Sequence, residues 1–505
     1  MSLATRFSKN LSFVVWARIV SVAASLTFLG ISARVYGVAE FGQLVFVLAT
    51  TSFLELTFCG SADSILVREQ VRTPGDREGN LRACAVLHAG FALIVIAVSF
   101  SIAVYFRHDW NVSRGLVLAG IASAFQILFC IPVAHFRSEQ NMLFESLLIT
   151  IERFLFLSGF LAVVVTKAPM VLVFACLMIS TAAKTMMAYA WLFRCVPMRV
   201  VWPARAKLGY FWRESLPLMG VTLLLSMHWR LDLFLMKAFS SAEQLGVYAA
   251  SFRTMEMLRI VPTDVITSAF PIFCAAAIRH DNNDQLSRAY RGLLELALCG
   301  SMLVAIVGVL FAPAATRLLF GGAFANAVLP LRILIVSFPF IFWNQINSIT
   351  LTSTNRQRWM LMSLVGALGC QLLVDVVLIP RRGAAGAGSG FALGETALLV
   401  GTLFAAAPLA INLRHSMGTF LRVVGAALCL CLLIALLHRN FPILTSVLVL
   451  PAYAVLLVLF NVVTRDDISI VKISLGRFVR SRAQVGQLVI RPTSAVLQHD
   501  VSGKS

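Results

Sequence analysis

Charged side chains inside long apolar runs are the residues of this sequence best placed to do chemistry. Arg253, Glu256 and Arg259 follow one another at i+3 steps, with Thr263 four residues on, so a helix would carry them as one polar stripe. Ser52, Glu55, Cys59 and Asp63 trace a comparable stripe earlier in the chain. Other apolar runs contain Arg18, Glu145, Glu152, Arg153, Lys184, Arg230, Asp232, Asp264, Glu295, Arg332, Asp375 and Glu395. A charge surrounded by lipid is costly, so such groups turn toward protein or a water-filled cavity. Guanidinium forks offer paired donors to phosphate oxygens. Buried carboxylates can carry a proton.

The elements that must position these groups are membrane helices. Of the 505 residues, 59% are hydrophobic and 13% charged, where a soluble domain has about 25% charged residues. Mean hydropathy is +0.86. The apolar residues come in continuous runs of about 20, the length of a membrane crossing, and do not alternate as barrel strands would. The runs predict an all-α polytopic protein of about fourteen helices. They fall at 13–35, 42–67, 83–105, 115–135, 143–166, 170–193, 214–238, 246–272, 289–312, 328–352, 359–380, 384–411, 418–438 and 441–463. Glu55 and Arg259 then lie deep in the second and eighth helices, whereas Arg332, Glu145 and Asp375 sit near helix ends.

A net charge of +19 would suggest a nucleic-acid partner in a soluble chain. Here the basic residues concentrate in short loops on one side, which the positive-inside rule assigns to the cytoplasm together with both termini. Nucleic acid is therefore not an expected partner. The span from Phe13 is too long for a signal-peptide core and reads as a retained first helix. The longest basic loop divides the chain into a six-helix bundle (1–193), a cytoplasmic linker (194–213), a second six-helix bundle (214–411), two extra helices (412–463) and a basic tail (464–505). Residues Ile468 to Val479 of the tail could lie in the membrane interface.

The two bundles echo each other. Ala39-Glu40-Phe41-Gly42 opens the second helix, and Ala242-Glu243-Gln244-Leu245-Gly246 opens the eighth. A weaker echo pairs Gln140–Leu147 with Gln357–Leu364. Parallel repeats of this kind are common in transporters. Pro217, Pro262, Pro271 and Pro339 interrupt helices and are candidate hinges.

Three patterns resemble a known family. Arg34-Val35-Tyr36-Gly37-Val38-Ala39-Glu40-Phe41-Gly42 is similar to its opening "R-x-x-G-x-x-x-[FY]-G". Leu231-Asp232-Leu233 followed by Gly246-Val247-Tyr248-Ala249-Ala250 is similar to its "D … G-x-Y-x-A", and Leu378 to Ala387 to its "L-I-P-x-x-G-x-x-G-A" turn. The resemblance is to the Wzx-type O-antigen and exopolysaccharide flippases of the multidrug/oligosaccharidyl-lipid/polysaccharide (MOP) superfamily, over about residues 13 to 410. Gln371 and Asp375 stand where relatives often have Asn.

That resemblance implies a multi-pass protein of a bacterial inner membrane that moves a polyprenyl-diphosphate-linked oligosaccharide between leaflets by alternating access. It also implies that the first, second, seventh and eighth helices line a central cavity. The expected substrate residues are Arg18, Arg253, Arg259 and Arg230 for diphosphate, with Ser52 and Thr263 for sugar hydroxyls. Glu55, Asp63, Asp232, Asp264 and Glu256 are candidates for H⁺ or Na⁺ coupling, and no other cofactor is expected. The same arginines could instead pair with the carboxylates and hold helices together. Expected partners are the lipid-linked oligosaccharide, membrane lipids, and polysaccharide polymerase and export machinery. A precursor flippase for peptidoglycan and a multidrug or metabolite antiporter remain alternatives.

No enzyme is expected. Outer loops are short, His88 and His228 stand alone in their helices, and no Ser-His-Asp pattern occurs. The ten cysteines, mostly inside apolar runs, are expected to be packing residues and neither disulfides nor metal ligands.

Overall fold

The computed structural model describes residues 3–139, 141–196, 202–278, 283–409, 413–437, 442–460 and 462. Every element among them is helical. The chain divides into two compact units, Met1–Leu413 and Arg414–Ser505. The tail, with the interfacial helix expected at Ile468–Val479, lies outside the described residues, as does the middle of the linker.

The first unit begins with α1 (Leu3–Arg72), in which Gly37 has a non-helical φ of 72°. A residue without a Cβ adopts that angle at little cost, and the resulting kink separates the first two expected crossings. Then follow α2 (Arg77–Tyr105), α3 (Trp110–Ser138), α4 (Met142–Val165), α5 (Val171–Cys195), α6 (Arg205–Phe239), α7 (Ala242–Ser268), α8 (Phe270–Ile278) and α9 (Asn283–Phe320). The unit continues through α10 (Val328–Val336), α11 (Phe338–Ser353), α12 (Gln357–Arg382) and α13 (Ala384–Ala406). The second unit holds α14 (Leu413–Leu437), apart from its first residue, and α15 (Pro442–Leu459). Within it Gly425 packs against Phe460.

Within the described residues, each of the fourteen expected spans falls mainly on helix. Eleven helices among the described residues are long and apolar enough to cross a membrane, twelve if one bent pair counts as a single span. The chain is therefore an all-α multi-pass membrane protein. Two expected spans are broken. The eighth bends by 40° between Ile260 and Pro262, because proline removes a backbone donor and crowds the preceding turn. The tenth splits at Ser337 into α10 and α11, with Pro339 in the first turn of α11.

The echoed glycines meet. A Cβ on Gly42 would lie 2.6 Å from Gly246 N and 2.8 Å from Ala242 O, and one on Gly246 would run into the Val38 carbonyl oxygen. The second arm of α1 thus touches the start of α7 backbone to backbone. Nearby, Asp109 caps α3 and takes donors from Lys237 (2.9 Å) and Gln43 (3.2 Å). Arg34 donates to the Leu318 carbonyl at 2.5 Å, and Phe41 stands edge-on to Phe320 and Phe324. At the far end of α1, Arg68 pairs with Glu214 at 2.8 Å and Lys207 pairs with Asp76, joining the start of α6 to α1 and the turn after it.

One expectation about cysteine is corrected. Cys59 and Cys130 are joined as a disulfide, because α1 and α3 pack closely enough to set their Cα atoms 6.6 Å apart. The other eight cysteines form no disulfide, and no group of residues suited to a metal ion occurs among the described residues.

Candidate functional site

Between the two contact zones of α1 lies a cavity of about 380 Å³. Ser52 and Glu55 of α1 and Arg253 of α7 line it, as expected from their stripes. Its other wall is polar too, with Ser123 and Gln126 from α3, Glu152 and Arg153 from α4, and Lys184 from α5. Ser123 donates to Glu55 at 3.4 Å. Lys184 is 2% exposed; it donates to Glu152 at 3.1 Å and to Gln126, and sits 4.4 Å from the Phe129 ring centroid. Arg153 has no hydrogen-bonding or ionic partner among the described residues, and its Nε is buried. The Nε of Arg253 is likewise buried and unbonded.

On α7 the stripe holds together as a cluster. Glu256 takes Arg253 at 2.9 Å and Arg230, from α6, at 3.1 Å. Arg259 lies flat over Trp229, 3.8 Å from its centroid. Two guanidinium groups, Arg230 and Arg253, therefore share one carboxylate here, leaving an excess of positive charge beside the cavity. Lower on the same helix, Thr263 accepts from Gln345 at 3.0 Å and Asp264 pairs with Arg18 at 3.5 Å. Arg18 is not a lining residue; it precedes the lining residue Ser25 by two helical turns, about 10 Å along α1.

The remaining candidates are elsewhere. Asp63 accepts from the Ser64 amide at 2.7 Å and lies 3.9 Å from Arg137, whose fork is held by Glu145 at 2.6 and 2.8 Å. Asp232 is buried among α6, α7 and α12, where Tyr248 and Gln371 (2.5 Å) donate to it, while both carboxyl oxygens of Asp375 are buried with no hydrogen-bond partner among the described residues. His228 is not alone. Its Nε2 meets Glu395 of α13 at 3.2 Å, and Glu395 also takes Asn344 of α11 at 2.8 Å. The hydrogen bonds run on from Asn344 through Thr402 and Asn347 to Tyr290.

Sequence reasoning placed Ser52, Glu55 and Arg253 on the cavity but left out Lys184, Glu152, Arg153 and Gln126. Lys184, Glu152 and Arg153 were visible as charges in apolar runs; their pairing across helices was not. A larger, mostly apolar groove of about 620 Å³ lies apart from these charges on α12 and α13, with Arg356 at one end.

Comparison with solved structures gives the fold. The lipid II flippase MurJ in an inward closed conformation is similar at a TM-score of 0.72, covering 89% of this chain and 98% of its own, at 11% identity. An inward-facing multidrug resistance MATE family transporter of the MOP superfamily gives 0.66, covering 78% and 94% at 15% identity. A MOP superfamily transporter from Pyrococcus furiosus gives 0.53, covering 80% and 95% at 15% identity. No curated protein matches by sequence. Residues 7–277 match the family model described as polysaccharide biosynthesis protein, a span that includes the first two sequence patterns and ends before the third. With more than half its length in that match, the chain belongs to the polysaccharide biosynthesis protein family.

Proposed function

We propose that this protein flips a polyprenyl-diphosphate-linked oligosaccharide from the cytoplasmic to the periplasmic leaflet of a bacterial inner membrane, for O-antigen or exopolysaccharide synthesis. The observation that carries the reading is the pairing of both Arg230 and Arg253 with the single carboxylate of Glu256, with Arg259 one turn on over Trp229, beside a cavity lined by hydroxyl, amide and charged groups. The diphosphate is the part of such a lipid that costs most to move through hydrocarbon. Guanidinium groups compensate it with charge-assisted hydrogen bonds, each worth about 1.5–3 kcal/mol, or roughly ten- to a hundredfold in occupancy. Ser52, Ser123 and Gln126 suit sugar hydroxyls. A surplus of positive charge disfavours the cationic drugs of a multidrug exporter. Coupling to H⁺ or Na⁺ belongs to the reading, with a buried carboxylate as carrier. Polysaccharide polymerase and export proteins are the natural receivers of the flipped lipid.

A second reading, flipping of a lipid-linked peptidoglycan precursor, draws support from the likeness to a lipid II flippase over nearly that protein's whole length. Both cargoes carry the same diphosphate, so the glycan separates them. In proteoliposomes, the wild type should translocate a polyprenyl-diphosphate oligosaccharide in preference to lipid II. The Arg253→Ala, Arg259→Ala double variant, inserted at wild-type level, should lose at least tenfold in rate, and Arg→Lys should recover only part because a point charge replaces a fork. Undiminished transport by the double alanine variant rules out the arginine cluster as the diphosphate site.

A further inference from the structure

Among the buried carboxylates, Glu395 combines two properties: a titratable hydrogen-bonding partner and an electrostatic link to Arg259 of the α7 stripe. Its side chain is 3% exposed and that of His228 1%. His228 Nε2 and Asn344 Nδ2 hold its two oxygens. The carboxylate negative charge still needs a counter-charge in so dry a place. Arg259 is the cation placed to supply it, with Glu395 acting on this guanidinium after Glu256 and ring contacts connecting the two. The aromatic groups between them are contiguous: Arg259 lies on Trp229, Trp229 stands 5.2 Å from Phe391, and Phe391 stacks on the His228 ring at 5.8 Å. His228 Nδ1 is buried with no hydrogen-bond partner among the described residues, leaving this pair an unfilled proton-accepting position.

We propose that the His228–Glu395 pair is the proton-loading site of the transporter and that it is linked to cargo through Arg259. The proposal rests on the anionic-cargo reading above. With neutral His228 and ionised Glu395 the pair carries −1, balanced by Arg259. When a diphosphate oxygen engages Arg259, that balance is withdrawn and the pair takes up one proton from water, reaching net zero without breaking a covalent bond. Release of the anion returns Arg259 to Glu395 and the proton leaves. By reciprocity, a loaded pair frees Arg259 and raises affinity for the anion. Other charged and titratable groups around the pair are Asp232 on α6, Tyr248, Glu256 and Arg259 on α7, and Asp375 on α12. Glu256 is already matched by Arg230 and Arg253, and Asp232 is held by Tyr248 and Gln371.

Isothermal titration of the full-length purified protein with farnesyl diphosphate, in buffers of different ionisation enthalpy, tests this. The wild type should take up about one proton more than the Glu395→Gln variant. Its affinity should weaken more steeply as pH rises, approaching tenfold per pH unit for one linked proton. Glu395→Gln keeps the shape and the hydrogen bond from Asn344, so it should still bind while losing that extra proton. Because the diphosphate itself can titrate, the difference between the two proteins is the decisive number. Equal proton uptake by wild type and Glu395→Gln overturns the proposal and leaves the anion reading intact. A wild type that does not bind the diphosphate overturns both. A Glu395→Gln protein that fails to fold moves the comparison to the His228→Gln, Glu395→Gln double variant, which leaves no titratable group in the pair and for which the same loss is expected.

Discussion

Lys184 and Glu152 show how a residue earns its place inside a membrane. Each would be prohibitive alone; facing each other at 3.1 Å, with Gln126 as a further acceptor for the amine, they close a buried pair on the cavity wall. Removing one partner strands the other charge, a loss of about 3–5 kcal/mol. Lys184→Met should therefore lower the thermal midpoint in detergent sharply, and adding Glu152→Leu should return much of it. An unchanged midpoint for Lys184→Met would mean the pair is solvated. The residue-scale reading of the sequence found the charges but not their partners. Arg253 and Glu256 were legible because an i+3 pair is a local fact, fixed by helix geometry alone. Lys184 with Glu152, His228 with Glu395 and Cys59 with Cys130 are pairings between different helices, and no periodicity encodes which helices become neighbours.

Among the elements, α1 and α7 carry the sharpest constraint. The contact at Gly42 and Gly246 sits about 10 Å along α7 from Arg253, so it fixes how the two helices approach the cavity. The obstacle to a side chain there is backbone, which cannot rotate aside. Gly246→Ala should cost about 1–3 kcal/mol as overpacking, read as a lower unfolding midpoint, with Gly42→Ala no milder. Wild-type stability in both variants would show that the helices do not meet so closely. Helix positions were legible because continuous apolar runs of membrane length leave little choice. The breaks were less so: Pro262 was a recognisable hinge candidate and does lie at a bend of 40°. Pro339 was a candidate hinge too and stands in the first turn of α11, just after the division at Ser337, although the apolar run there is long enough to read as one span.

For the whole molecule, the bias of basic residues toward one side predicts orientation. Single cysteines placed in the turn at residues 73–76 and at the start of α6 should be protected from an impermeant thiol reagent in intact cells. One placed at Arg381 should react, in a background freed of reactive native cysteines. Labelling of the α6 start from outside would reverse the assigned topology and the direction of transport. The division into two related halves, residues 1–193 and 214–411, is a proposal supported by the Ala-Glu…Gly echo, whose two glycines touch. The disulfide between Cys59 and Cys130 adds something that neither packing nor charge provides. It closes the end of α1 from Cys59 on, all of α2 and most of α3 into a covalent ring, across a separation of 71 residues. A chain cut anywhere inside that ring, at the Phe106–Asp109 turn for instance, remains one molecule until a reductant opens it. The wall bearing Glu55 and Gln126 is thereby tied into a single covalent piece whatever happens to the turns that connect it.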